Sequence, residues 1–301
     1  MIIKNRLLLI PLLLFSSLFS AGTFTDWGST ILHHVADSKS IDIYGLKISK
    51  HVIMLLISAV VTCIVSIMAT QKYRKNINAM PSGLSQIFEI LMDFINKEIV
   101  IPNVGKNYTK TWTPVAMTFF VFILTCNLLG LIPFFDAAGQ LGVANDIGGN
   151  GGGPFFKMLA GGGSTATGNF GVTLGLATIT FFAIIVAGVK KHGFIGHWKN
   201  LIPGGVPAPV LIILIPIEIM GMFIKPLALT LRLGANMTAG HIGIIAIFGI
   251  PMILDASTGV KLSVGVMAVI LNTAIFFLEI LVCLVQAYVF SLLSAVFIGM
   301  A

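Results

Sequence analysis

From Lys225 to Ile242 the chain reads KPLALTLRLGANMTAGHI, inside an apolar run that extends from about Val206 to Leu254. A run this long is a helix buried in lipid or protein, and Arg232 stands in the middle of it. A guanidinium cannot shed its proton at any reachable pH, and at the centre of a membrane helix it costs roughly 2.5 to 3.5 kcal/mol. Such a residue is kept only where something uses it. Asn236 follows at i+4, one turn along the same face. Glu218 lies fourteen residues upstream, close to a whole number of turns, and His241 lies nine downstream. The polar groups of this segment form a path rather than a point.

The rest of the chain is of the same kind. Its 301 residues are 56% hydrophobic and 10% charged, against roughly 25% charged in soluble domains, and its mean hydropathy is +1.00. These values describe an all-α polytopic membrane protein. The net charge of +7 would suggest an anionic partner in a soluble chain. Here the Lys and Arg residues cluster in short loops, where they set topology, and no nucleic-acid surface is indicated. Cys63, Cys126 and Cys283 fall in apolar runs without CxxC spacing, which reads as buried thiols rather than a metal site or disulfide framework.

Residues 1–21 combine Lys4 and Arg6, an apolar core from Leu7 to Phe19 and a Ser20-Ala21-Gly22 exit, the pattern of a signal peptide. A first membrane anchor is the rival, but the core falls short of the roughly twenty residues a span needs. Residues 22–50 read as an exported polar segment; the His33-His34 pair within it lacks a third metal ligand. The membrane domain, 51–301, is expected to contain spans at about 51–69, 115–132, 170–189, 206–254 and 262–301. Between the first two, an amphipathic helix over 84–101 sets Leu84, Ile87, Phe88, Leu91, Phe94 and Ile95 against Gln86, Glu89, Asp93, Asn96 and Lys97. It fits a membrane surface or a docked partner. Residues 134–168 contain eleven glycines, but no Lys-Ser/Thr follows them, so a flexible exported loop is expected rather than a phosphate cradle.

Loop charge orients the spans. Six Lys and Arg residues lie in 70–112 and three in 189–206, against one in each intervening loop, so the expected topology is N-terminus exported, C-terminus cytoplasmic. The last two segments exceed a perpendicular span and must tilt, bend or lie partly in the membrane plane. On the last, Glu279 and Gln286 are seven residues apart and share a face, about 10.5 Å from each other. If the two segments pair antiparallel with Arg232 facing Gln286, the pairing centres on Gly259, in the expected turn. That register sets His241 opposite residue 277, within a turn of Glu279.

Two motifs on these segments, RLGANMTAGHI at 232–242 and QAYVFSLL at 286–293, resemble subunit a of the F-type ATP synthase. CNLLGLIP at 126–133 and NFGVTLGLATITF at 169–181 fit the same family. The resemblance covers nearly all of the mature chain. It implies a non-catalytic stator channel in a bacterial plasma (inner) membrane, without a metal or cofactor. The partners it implies are a rotating ring of c subunits, peripheral-stalk b subunits, the rest of the complex and lipid. In that family the arginine faces the ion-carrying carboxylates of the ring, so Arg232 inherits that role. Asn236 and Gln286 match its neighbours, and His241 and Glu279 match an acid and imidazole pair that many bacterial members carry in the opposite order. Glu218 is a further candidate on the ion path. The leader and the glycine-rich loop depart from the short form of the family.

The implied mechanism is proton passage through two half-channels. A ring carboxylate protonated from the exported side rotates through lipid in neutral form, because an ionised one is costly there. Near Arg232 it loses the proton toward the other half-channel, since a fixed cation favours carboxylate over acid. The same cation bars a direct proton path, so passage goes through rotation. Two other classes would leave different marks. A proton-coupled secondary transporter would show matching repeats or broken helices, and an intramembrane enzyme a GxSxG or HExxH motif; neither pattern is present in the sequence.

Overall fold

A computed structural model describes residues 41–43, 46–76, 80–131, 165–200, 208–254 and 257–301. The expected signal peptide, the His33-His34 segment and the glycine-rich stretch up to residue 164 lie outside the described residues. A two-stranded antiparallel ladder comes first, β1 (Ile41–Ile43) with β2 (Leu46–Ile48), in the register Asp42 to Lys47. Every other element among the described residues is helical. The helices are α1 (Lys50–Lys75), α2 (Leu84–Phe94), α3 (Ile101–Val104), α4 (Thr109–Leu131), α5 (Phe170–His192), α6 (Phe194–Asn200), α7 (Ala208–Ile253) and α8 (Thr258–Met300). Five of them, α1, α4, α5, α7 and α8, are long and apolar enough to cross a membrane.

Local chemistry explains the ends. The Asn169 side chain caps α5 by accepting from the Gly171 N–H at 2.7 Å, and Gly193 ends the helix at φ 74°, donating to the Val189 carbonyl. That backbone geometry suits glycine. Lys190, Lys191 and His192 fill the last turn, where the helix dipole favours cations. Helix α4 begins six residues before the expected Val115, with Pro114 inside it; a proline this early forfeits only one ladder bond. Its described part runs to Leu131.

The amphipathic segment does more than lie flat. After Phe94 its ladder widens to a π-helix over Ile95–Val100, and the Ile101 N–H reaches back to the Asn96 carbonyl. Pro102 supplies the reason, because it has no N–H for the ordinary bond to residue 98. Ile95, Ile99 and Val100 are thereby buried, while Leu84, Ile87 and Phe94 of the expected apolar stripe stay exposed. Asn96 leaves the expected polar face to accept from the Thr113 hydroxyl at 3.0 Å.

The described residues fall into two compact units. One draws on the stretches up to Leu56, Cys126–Gly168 and Ala235–Cys283; the other on Ile57–Thr125, Asn169–Gly234 and Leu284–Ala301. The second holds the main apolar core, where Ile95 and Ile99 meet Trp112, Phe119, Leu229, Leu233 and Phe290. Phe119 and Phe290 pack edge to face at 5.4 Å. Hydroxyls join its helices as well: Thr180 meets Ser294 at 3.2 Å, and Ser291 donates to the Ala116 carbonyl. Where lipid removes the hydrophobic drive between helices, such bonds and small residues hold them together. The first unit has a smaller core of Leu131, Met237 and Cys283. Cys126 and Cys283 are buried as expected, whereas Cys63 is exposed on α1, one of a row of outward side chains with Val60, Ile64 and Ile67.

Helices α7 and α8 pair antiparallel. In the first unit, Asn272 Nδ2 donates to the Ile244 carbonyl at 3.2 Å and His241 Nδ1 lies 3.5 Å from Glu279 Oε1, contacts centred on residues 258 and 260. In the second, Lys225 Nζ sits 5.5 Å from the Phe297 ring centre, centred on residue 261. The expected centre, Gly259, is within two residues of all three. Gly259 itself belongs to the first turn of α8 rather than to the connection, because the helix starts at Thr258, where the Ser257 carbonyl accepts from the Lys261 N–H.

One contact in the second unit invites a test. A Cβ built on Gly299 would overlap the Asn103 main-chain carbonyl, and main chain on both sides cannot rotate away. Gly299→Ala is expected to destabilise the chain by about 1–3 kcal/mol, read as a lower unfolding midpoint in detergent. Gly175→Ala, whose new methyl group would meet nothing within 4 Å, should instead be neutral or stabilising within its helix.

Candidate ion-translocation site

The structure brings two of the six expected site residues into contact. His241 on α7 and Glu279 on α8 face each other with Nδ1 and Oε1 3.5 Å apart. The pair is unequal: the imidazole side chain is 23% exposed and the carboxylate 4%. The carboxyl group lies against Gly240, where a Cβ would displace it. Neither Glu279 oxygen has a hydrogen-bond donor among the described residues. Burying an ionised carboxylate with so few partners is costly.

A second polar layer surrounds the pair in the same unit. Thr165 bonds His241 Nε2 through its hydroxyl, and its carbonyl receives the ring of His51 at 3.2 Å. Thr167 donates to Asn127 Oδ1 at 2.6 Å, and Thr238 to the Gly168 carbonyl at 3.2 Å. Thr165 and Thr167 are fully buried. The end of the glycine-rich stretch is therefore a packed turn, with a 3-10 helix over Ala166–Gly168, and the expectation of a flexible loop through residue 168 is corrected there. Its burial follows from its bonds, because a loop can leave water only when its polar groups find partners.

The other four residues are placed differently. Arg232 is exposed on α7 beside exposed Leu227 and Leu231, and among the described residues it makes no ion pair or side-chain hydrogen bond. Gln286 on α8 and Asn236, one turn beyond Arg232, are partly exposed. No hydrogen bond joins Gln286 to Arg232 among the described residues, although the expected register set them at one level. Glu218 is exposed on α7, fourteen residues from Arg232, and pairs with no cation among the described residues.

Sequence reading singled out neither His51 nor Thr165 of this layer, nor Asn272 two turns before Glu279 on α8. Asn272 is buried, with its Oδ1 unpartnered, and it stands seven residues before Glu279, which stands seven before Gln286. That heptad repeat was a readable signal. His51 looked like a span boundary, and Thr165 carried no signal at all, because its partner lies 76 residues away. Among the described residues no group of three or more His, Cys, Asp or Glu is arranged to hold a metal ion.

The chain is similar to known proteins over most of its length. Residues 52–299 match the family model described as ATP synthase A chain. ATP synthase subunit a 2 of Chlorobaculum tepidum is 37% identical over 292 residues, covering 91% of this chain and 73% of that protein. ATP synthase subunit a of Pelodictyon phaeoclathratiforme is 37% identical, covering 91% of this chain and 76% of that protein. Its counterpart in Myxococcus xanthus is 35% identical, covering 85% and 73%. The family match runs from the start of α1 to the end of α8, through all five long apolar helices: this chain belongs to the ATP synthase subunit a family and is a multi-pass membrane component of that complex.

Proposed function

We propose that the chain is the proton-translocating stator of an F-type ATP synthase, giving ring carboxylates of c subunits access to two half-channels and coupling proton flow to rotation through Arg232. The observation that supports this most directly is the contrast between two charges on the last two helices. Arg232 is exposed among apolar side chains and has no ion-pair partner among the described residues, so it is suited to meet a carboxylate on another subunit. Glu279 is buried against His241 and suited to hand a proton along. Lipid alone would leave the guanidinium costly; a partner's carboxylate would offset that cost. His241, the more open of the pair, takes protons from the exported side and Glu279 passes them inward, with Asn236 and Gln286 lining the way to the ring. Glu218 serves the half-channel on the opposite side.

In this reading the chain performs no chemistry on ATP and needs no cofactor. It sits in a bacterial inner membrane with its N-terminus exported after cleavage of the leader and its C-terminus cytoplasmic. Peripheral-stalk b subunits hold it still while the ring turns. Purification from native membranes through a tag on this chain tests the assignment: a proteolipid ring and b subunits should copurify in detergent. A tagged chain that is stable and intact but isolated without a ring would overturn it.

A further inference from the structure

Resting on that relay reading, the geometry points to Thr165 as a positioning residue for His241, held in place by His51. Thr165 meets Nε2 of the imidazole, the nitrogen turned away from Glu279, while Nδ1 faces the carboxylate. A relay imidazole passes through several states: one nitrogen or the other carries the single proton, or both are protonated. Each state asks something different of the group at Nε2. A hydroxyl can donate to a bare nitrogen and accept from a protonated one by turning only its own O–H, with its oxygen in place. Thr165 therefore keeps the second nitrogen satisfied through the whole cycle without moving the ring off Glu279, in a place where an unsatisfied N–H is costly.

Two further observations show that the hydroxyl is held for this position. The Thr165 carbonyl can only accept, so His51 Nδ1 donates to it, and both residues are buried. A Cβ on Gly130 would collide with the main chain and side chain of Thr165, so the glycine in CNLLGLIP provides the room that lets residue 165 reach α7. A threonine filling space would need neither a clamp nor a glycine cut for it.

The test uses the whole ATP synthase in vesicles, with ATP-driven acidification as the readout and the amount of this subunit per complex measured alongside. Thr165→Val, nearly equal in volume, should pump roughly ten- to a hundredfold more slowly, as loss of a hydrogen bond to a charged group implies. Thr165→Ser should restore most of the rate. His51→Gln, which keeps a donor for the carbonyl, should outperform His51→Leu. Normal pumping by the valine variant, or equal impairment of valine and serine variants, overturns the inference. If the valine chain fails to assemble, ring-nitrogen NMR of the histidine-labelled wild type decides, and a His241 Nε2 with no hydrogen-bonded hydroxyl overturns it. Glu279→Gln separates this result from the reading beneath it. If that variant stops pumping while Thr165→Val does not, only the positioning role falls; if Glu279→Gln pumps normally, the relay itself falls, and this inference with it.

Discussion

Arg232→Ala is expected to abolish ATP-driven proton pumping, a loss of roughly a hundredfold or more, while the chain still inserts and assembles with the other subunits. The expectation of normal assembly comes from the structure. Arg232 is exposed and makes no bond to its own chain among the described residues, whereas its neighbours Leu229 and Leu233 are the ones buried in the core. Removing the guanidinium takes away a charge without opening a cavity. Arg232→Lys should recover little, because an ammonium is a point charge that gives up its proton when desolvated, where a guanidinium does not. Pumping by the alanine variant at the wild-type rate would remove the role assigned to Arg232. A chain lost from the membrane would instead show that the side chain is structural.

The second large effect concerns His241 and Glu279. Each alanine substitution should slow proton passage by roughly a hundredfold, the usual contribution of a positioned proton-transfer group. Because the two groups lie 3.5 Å apart, their effects should not add: the double variant should lose less than the two singles combined, with a coupling of about 0.5–3 kcal/mol. Exchange of the residues, His241→Glu with Glu279→His, keeps both groups facing each other and should recover part of the activity. Additive losses with no recovery on exchange would mean two independent residues rather than one relay. Gly240 bears on the outcome, since the residue at 279 lies against its bare Cα and an imidazole there needs the same space.

Much of the fold was legible because lipid imposes a simple rule. Backbone groups must be paired within each segment, so a long apolar run is a helix, and this holds for α1, α4, α5, α7 and α8 with little dependence on neighbours. The antiparallel register of α7 and α8 was also legible, because polar residues in apolar helices are expensive and tend to face one another. Placing Arg232 against Gln286 gives a centre at Gly259, and the Asn272 to Ile244 and His241 to Glu279 contacts fall on either side of it. The amphipathic segment was half legible. Its periodicity marks a helix, which runs regularly to Phe94. The consequence of Pro102 for the ladder behind it, a π-helix that turns Ile99 and Val100 into the core, is not carried by that periodicity.

The division between sequence and tertiary structure follows the range of the forces. By itself the sequence determined a helical membrane chain with five apolar segments long enough to span among the described residues, a lone guanidinium in the middle of its longest apolar run and the pairing of the last two helices, since each depends on local hydropathy, charge cost or helical period. Only the tertiary structure decided that Glu279 is sealed while His241 is partly open, and that Thr165 closes on His241 through a gap left by Gly130. Those features depend on contacts between segments far apart in the chain. No periodicity encodes such contacts, because the energy of a buried hydrogen bond depends on which group arrives at the other end.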